Sequence, residues 1–115
     1  MDRIFYLASC DTCRKIIRML PQHQLIYQDI RQEPVTEAQL DEMKALAGSY
    51  EALFSRKAQL YKSMGLKDQN LTEADFKRYL LEHYTFLSRP VFIIGGKIYI
   101  GNSAKNVEAV IKALG

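Results

Sequence analysis

The sequence has no apolar run that approaches the roughly 18 residues needed for a membrane-spanning helix. Its first residues, MDRIFYLAS, also lack the basic and then apolar layout of a secretory signal. We therefore expect a cytosolic protein with no membrane partner. Internal repeats and linker-like segments are missing too, and 115 residues with 48% hydrophobic composition suit a single domain over 1–115.

A block of charge of one sign is also missing. The 16 lysines and arginines are interleaved with 13 acidic residues, for a net charge of +3. Such an arrangement usually forms a solvated surface, whereas a nucleic-acid site needs clustered basic residues. We expect no direct contact with nucleic acid.

Cysteine and histidine are scarce, which disfavours a metal site. Structural zinc sites need about four ligands, and besides Cys10 and Cys13 the chain offers only His23 and His83, far apart in sequence. Cytosolic thiols are kept reduced, so a structural disulfide is not expected either. The C-x-x-C pair is then either redox-active or a packed part of the core, because cysteine is often buried.

The apolar pattern around this pair predicts a βαβ unit. RIFYLA (3–8) and LIYQDI (25–30) are typical of strands, and the segment between them changes to a helical period that Pro21 ends. The apolar stripe of that helix consists of Cys13, Ile16, Ile17 and Leu20. A βαβ unit of this length has parallel strands and a right-handed crossover.

The rest of the chain predicts an α/β fold with a four-stranded mixed sheet. RPVFIIGGKIYIG (89–101) indicates an antiparallel hairpin that turns at Gly95 and Gly96, and a last helix follows. That helix has Asn102 or Ser103 as a candidate cap, and its apolar positions are Val107, Val110, Ile111 and Leu114.

Between the two halves of the sheet we predict an all-helical insertion over about 35–87. Its helices are expected over 36–48, 57–64 and 71–84. Two of them carry capping boxes, formed by Thr36 with Gln39 and by Thr72 with Asp75. The expected buried positions are Leu40, Met43, Leu46 and Ala47 in the first helix, and Phe76, Tyr79, Leu80 and His83 or Tyr84 in the last.

A C-x-x-C motif between a strand and a helix has a specific chemical meaning. Unpaired N–H groups and the helix dipole at the start of the helix stabilise an anion, so the pKa of Cys10 is expected to fall. Cys13 lies one turn further on the same face, where it can attack a mixed disulfide on Cys10. Arg14 would add positive charge beside the pair.

The segment SRP (88–90) is a second candidate part of the site. If the bond before Pro90 is cis, Arg89 turns toward the start of the first helix and Cys10. Otherwise Pro90 simply opens an edge strand and Arg89 is solvated. Arg56, followed by Lys57 in the insertion, would in isolation be part of a surface pair.

Three separated motifs together resemble one family. FYLASCDTCRK, ALFSRKAQLYKSMGL and LSRPVFIIGGKIYIG occur in the order found in the arsenate reductase-like branch of the thioredoxin superfamily, which also contains Spx-type transcription regulators. The resemblance implies a thioredoxin-like fold with a helical subdomain. By position it implies Cys10 as nucleophile, and Arg14, Arg56 and Arg89 as residues that hold an oxyanion.

The resemblance leaves two functions open. One is a thiol-disulfide oxidoreductase that acts on an oxyanion or a disulfide, takes electrons from glutathione, thioredoxin or glutaredoxin, and binds no cofactor. The other is a redox switch that binds RNA polymerase. Reductases of this type carry a further arginine after the hairpin, where this chain has IGNSAKN, and commonly a serine where it has Cys13. These departures favour a two-cysteine mechanism over arsenate reduction.

Overall fold

The computed structural model describes residues 2–115, which divide into two compact units. The first comprises residues 2–33 and 89–115, and the second residues 34–88. The second unit occupies nearly the range in which the sequence predicts an insertion. That the two units constitute one domain stays a prediction.

The first unit contains all four strands and two of the helices. Its elements are β1 (Arg3–Tyr6), α1 (Asp11–Met19), β2 (Ile26–Asp29), β3 (Val91–Ile94), β4 (Lys97–Ile100) and α5 (Ala104–Leu114). Each predicted strand is present but shorter than its apolar run, because pairing stops where the chain leaves the sheet.

The four strands form one mixed sheet in the order β2-β1-β3-β4. β1 pairs with β2 in parallel and with β3 antiparallel, and β3 continues into β4 as an antiparallel hairpin. Gly95 and Gly96 make the hairpin turn with φ of 58° and 77°, a conformation that costs glycine least. The predicted α/β class and mixed four-stranded sheet are confirmed.

One apolar cluster joins α1 and α5 to this sheet. Side chains alternate across a strand, so Ile4, Phe92 and Ile94 lie on a common face. The other buried members of the cluster are Leu25, Ile16 of α1, and Val107 and Val110 of α5. Since α1 is fixed by this packing, so is the position of its first turn. Ser103, one of the two predicted caps, accepts a hydrogen bond from the Asn106 N–H and begins α5.

The second unit is helical. It consists of α2 (Glu37–Ala47), α3 (Gln59–Ser63) and α4 (Glu73–Glu82), with 3₁₀ turns at Glu51–Leu53, Leu66–Asp68 and Tyr84–Phe86. Both predicted capping boxes are present, each with its two reciprocal hydrogen bonds. α2 ends as expected at Gly48, which has a φ of 98°.

Two details of the predicted helical faces are wrong. Leu46 is 39% exposed, because the buried side of α2 is narrow and consists of Leu40 and Met43. α4 stops at Glu82, and His83 caps the following turn by accepting a hydrogen bond from the Thr85 N–H. Among residues 2–115, no helix combines the length and apolarity needed to cross a membrane.

The packing of α1 on the sheet gives a stability prediction. Replacing Ile16 with alanine removes a side chain that is 4% exposed, and should lower the free energy of unfolding by about 2–5 kcal/mol. Urea denaturation followed by circular dichroism measures the loss. The matched variant is Met19→Ala on the same helix, where the side chain is 58% exposed, and it should change stability by less than about 0.5 kcal/mol. Equal effects of the two substitutions would contradict the packing of α1 described above.

Candidate active site

Cys10 lies in the segment between β1 and α1, directly before the first residue of α1. After Tyr6 the backbone leaves the sheet and makes a turn in which the Cys10 N–H donates to the Leu7 carbonyl at 3.1 Å. Cys10 then has extended backbone angles, φ −90° and ψ 118°, and its carbonyl accepts the Arg14 N–H at 3.1 Å. It is therefore the N-cap residue of α1, where the backbone N–H groups of the first turn have no partner within the helix.

This position lowers the pKa of the Cys10 thiol. Partial burial alone would raise the pKa, but it is outweighed by hydrogen bonds to the thiolate from the backbone N–H of Cys13, the Cys13 thiol and the backbone N–H of Thr12. The positive charge of Arg89 lowers it further. Cys10 is only half-buried, so an anionic sulfur at this site stays open to a reactant.

Cys13 has the opposite properties. Its side chain is fully buried, and desolvation raises the pKa of its thiol to about 11. The neighbouring Cys10 adds to this increase through its negative charge and its hydrogen bond, while the Leu7 backbone and Arg89 oppose it. The two thiols are close together but not bridged. The pair thus consists of an accessible, acidic thiol and a buried, protonated one.

Sheet register brings Arg89 to the cysteines. Phe5 of β1 pairs with Val91 of β3, so the residues just before β3 run alongside the end of β1 that leads to Cys10. The charge of Arg89 acts on both thiols from there. The Arg89–Pro90 bond is cis, and Pro90 is buried. The alternative of an edge strand is wrong, because β3 is paired on both sides.

Arg14 and Arg56 are each paired with a carboxylate of their own unit. Arg14 donates to the Ala8 carbonyl at 2.8 Å and forms an ion pair with Asp11. In the second unit, Arg56 pairs with Glu51 at 2.6 Å and lies over the Phe76 ring, with 5.6 Å between guanidinium and ring centre. An anion-binding role for these two arginines stays a prediction.

Sequence reasoning missed two contributions that come from the backbone. The Leu7 backbone stabilises the Cys13 sulfur, and the Leu7 carbonyl accepts the Cys10 N–H. Because both contacts use main-chain atoms, no residue type at position 7 signals them. Asp11, the first residue of α1, was also missed, although an acidic residue at that position is favourable beside a helix N-terminus.

The chain is similar to known proteins over most of its length. An arsenate reductase from Vibrio cholerae superposes with a TM-score of 0.79 at 19% identity, covering 98% of this chain and 97% of that one. An arsenate reductase from Neisseria meningitidis is 26% identical over 114 residues, covering 95% of this chain and 97% of the relative. The global transcriptional regulator Spx 2 from Bacillus cereus is 24% identical over 110 residues, covering 91% and 82% respectively.

The fold is thus the thioredoxin-like fold of arsenate reductase-like proteins. Residues 5–110 match the ArsC family, and the chain belongs to that family. The resemblance that the three motifs indicate is therefore confirmed. The prediction of an arsenate reductase-like enzyme is also confirmed, at the level of the family.

The electrostatics of the pair predict distinct reactivities with pH. Alkylation of Cys10 by iodoacetamide requires the thiolate, so its rate should rise with pH through a midpoint below that of a free thiol, about 8.5. Cys13 is fully buried and its thiol has a raised pKa, so it should react far more slowly than Cys10 at every pH at which the protein stays folded. Mass spectrometry of each cysteine peptide measures the two rates.

The same measurement tests Arg89. Removing its positive charge in Arg89→Ala destabilises the thiolate, so the Cys10 midpoint should rise by up to about one pH unit. Arg18→Ala, in the last turn of α1, is the matched control and should leave the midpoint unchanged. An unchanged midpoint in Arg89→Ala would show that Arg89 does not act on Cys10.

Proposed function

We propose that this chain is a cytosolic thiol-disulfide oxidoreductase in which Cys10 attacks the substrate and Cys13 releases the product. The observation that carries the proposal is the contrast between the two thiols. Cys10 has a lowered pKa at the start of α1, and the buried Cys13, with a pKa of about 11, lies beside it. Attack requires a thiolate, and Cys10, with the lowered pKa, forms one more readily than Cys13.

The first step is thiol-disulfide exchange. The Cys10 thiolate attacks one sulfur of a disulfide substrate, a Cys10–substrate disulfide bond forms, and the substrate's own disulfide bond breaks. The departing sulfur leaves with the electron pair and takes up a proton from water. The hydrogen bonds from the Cys13 and Thr12 backbone N–H groups, together with the charge of Arg89, favour the anionic form of the Cys10 sulfur until it reacts.

The second step uses Cys13. Once Cys10 is in a mixed disulfide it carries no negative charge, so the part of the pKa increase that Cys10 causes is lost, while burial, the main cause, remains. Cys13 attacks the Cys10 sulfur and its proton passes to the departing sulfur, so that the second half of the substrate leaves as a thiol. The substrate disulfide is now reduced, and Cys10 and Cys13 are oxidised to a disulfide. Two electrons from glutathione or a redoxin then reduce this disulfide and restore both thiols.

Arsenate is the alternative substrate, because the Neisseria meningitidis relative is an arsenate reductase. The Cys10 thiolate would attack arsenic and displace water, and oxidation of the two cysteines to a disulfide would supply the two electrons that convert arsenate to arsenite. An activity panel of a glutathionylated peptide, a protein disulfide and arsenate separates these substrates. We expect the disulfide substrates to be reduced faster.

A regulatory function is favoured by one observation, the similarity to Spx 2 over 91% of this chain. In that case the Cys10–Cys13 pair acts as a switch, and its oxidation changes binding to RNA polymerase. Tagged protein should then retain polymerase from its host's lysate in a manner that depends on dithiothreitol. Turnover of a disulfide with glutathione, in contrast, is expected only of the enzyme.

The two-cysteine mechanism predicts a specific trapped species. In Cys13→Ser the resolving thiol is missing, so mild oxidation in the presence of glutathione should leave one glutathionyl group on Cys10. Wild-type protein should instead lose two hydrogens and regain them with dithiothreitol. Intact-mass measurement distinguishes the two products.

Cys10→Ser is the matched control. It should gain no glutathione at neutral pH, because Cys13 is buried and protonated. If Cys13→Ser turns over as fast as wild type with glutathione, the resolving step takes place outside this chain and a one-cysteine mechanism replaces the one proposed.

A further inference from the structure

One guanidinium connects the residues on both sides of Cys10. Arg14 Nη1 donates to the carbonyl oxygen of Ala8 at 2.8 Å, and Arg14 Nη2 forms an ion pair with the Asp11 carboxylate. Ala8 lies two residues before Cys10, and Asp11 directly follows Cys10. The side chain therefore bridges the segment that holds the nucleophile.

This segment has few other restraints. Ala8 and Ser9 are exposed and belong to neither β1 nor α1. Its turn contains two backbone hydrogen bonds, from the Cys10 N–H to the Leu7 carbonyl at 3.1 Å and from the Arg14 N–H to the Cys10 carbonyl at 3.1 Å. The fork of Arg14 adds two contacts in a fixed planar geometry, which a lysine cannot reproduce.

The charge of Arg14 has little net effect at this place. Asp11 carries the opposite charge and is in direct contact with it, so the pair is close to neutral as seen from Cys10. The two side chains are 47% and 82% exposed, and an ion pair this accessible to water contributes little to stability. What the pair fixes is the position of the chain.

We propose that Arg14 is a positioning residue that holds the turn of residues 8–11, so that the backbone N–H groups of Thr12 and Cys13 face the Cys10 sulfur. It acts through geometry, and it is not a ligand of an oxyanion. The inference rests on the proposed role of Cys10 as nucleophile, since it explains how this thiolate is kept in place.

Three variants separate geometry from charge. Arg14→Lys keeps the charge but loses the planar fork, Arg14→Gln loses both, and Asp11→Asn removes the neutralising charge while leaving an oxygen that accepts from Arg14. Arg18→Ala, exposed on the same helix, is the control. For each variant, the pH dependence of Cys10 alkylation gives the midpoint, and hydrogen exchange reports the backbone amides of residues 8–13.

A positioning role predicts that Arg14→Lys behaves like Arg14→Gln. Both should raise the Cys10 midpoint by about half a pH unit, which slows alkylation at pH 7 about threefold. In both variants, the backbone amide hydrogens of residues 8–13 should also exchange with solvent faster than in the wild type. Asp11→Asn and Arg18→Ala should keep the midpoint at or slightly below that of the wild type.

Two results would overturn the inference. If Arg14→Lys matches wild type while Arg14→Gln is shifted, Arg14 acts by its charge. If arsenate or sulfate protects Cys10 from alkylation in wild type and this protection is lost in both Arg14 variants without a change in midpoint, Arg14 is an anion ligand. Failure of the proposed function is recognised separately, because wild-type Cys10 would then itself show the midpoint of an ordinary free thiol.

Discussion

The pairing of Phe5 with Val91 in adjacent antiparallel strands is the constraint on which the site depends. It sets residue 89 beside residue 7, three positions before Cys10, and so brings a positive charge to the thiols from a distant part of the sequence. A slip of one residue would turn every side chain of β3 to the opposite face of the sheet. Phe92 and Ile94 would then leave the apolar cluster, so the packing of the core also fixes the register that the chemistry needs.

The contrast between the two thiols follows from their separation by one helical turn. At the N-cap, Cys10 is reached by N–H groups and remains half-exposed, whereas Cys13 belongs to the buried stripe of α1. The same helix thus stabilises one sulfur as an anion and keeps the other protonated. Arg89 lowers the pKa of both thiols, so the difference between them comes from the hydrogen bonds to Cys10 and the burial of Cys13.

Much of this architecture was predictable because local patterns decide it. The apolar runs of β3 and β4, the paired glycines of the hairpin and the capping boxes at Thr36 and Thr72 all describe interactions within a few residues. The position of Cys10 at the start of α1 was predictable for the same reason, because it follows from where the strand ends and the helix begins.

Other features depend on neighbours that the sequence does not reveal. Leu46 has the spacing of a buried residue, yet nothing in the pattern of α2 determines how wide its buried face is. The intrinsic difference between the isomers of an X–Pro bond is small, so the cis bond at Pro90 depends on its surroundings. The partners of Arg14 could not be predicted either. A basic residue beside a thiol is expected to act on the thiol, and nothing in the sequence indicates that the Ala8 backbone carbonyl accepts a hydrogen bond from it.

The balance of charge around Cys10 bears on what the site can accept. Asp11 and Arg14 cancel each other, which leaves Arg89 as the charge that acts on the thiolate. One cation beside one anion is already neutral, so a doubly charged oxyanion would bring negative charge that these groups do not offset. The sulfur atoms of a disulfide bring none. Within the first unit, this balance of charge supports our proposal of thiol-disulfide exchange over oxyanion reduction, because Asp11 neutralises the arginine that lies nearest to Cys10 in the sequence.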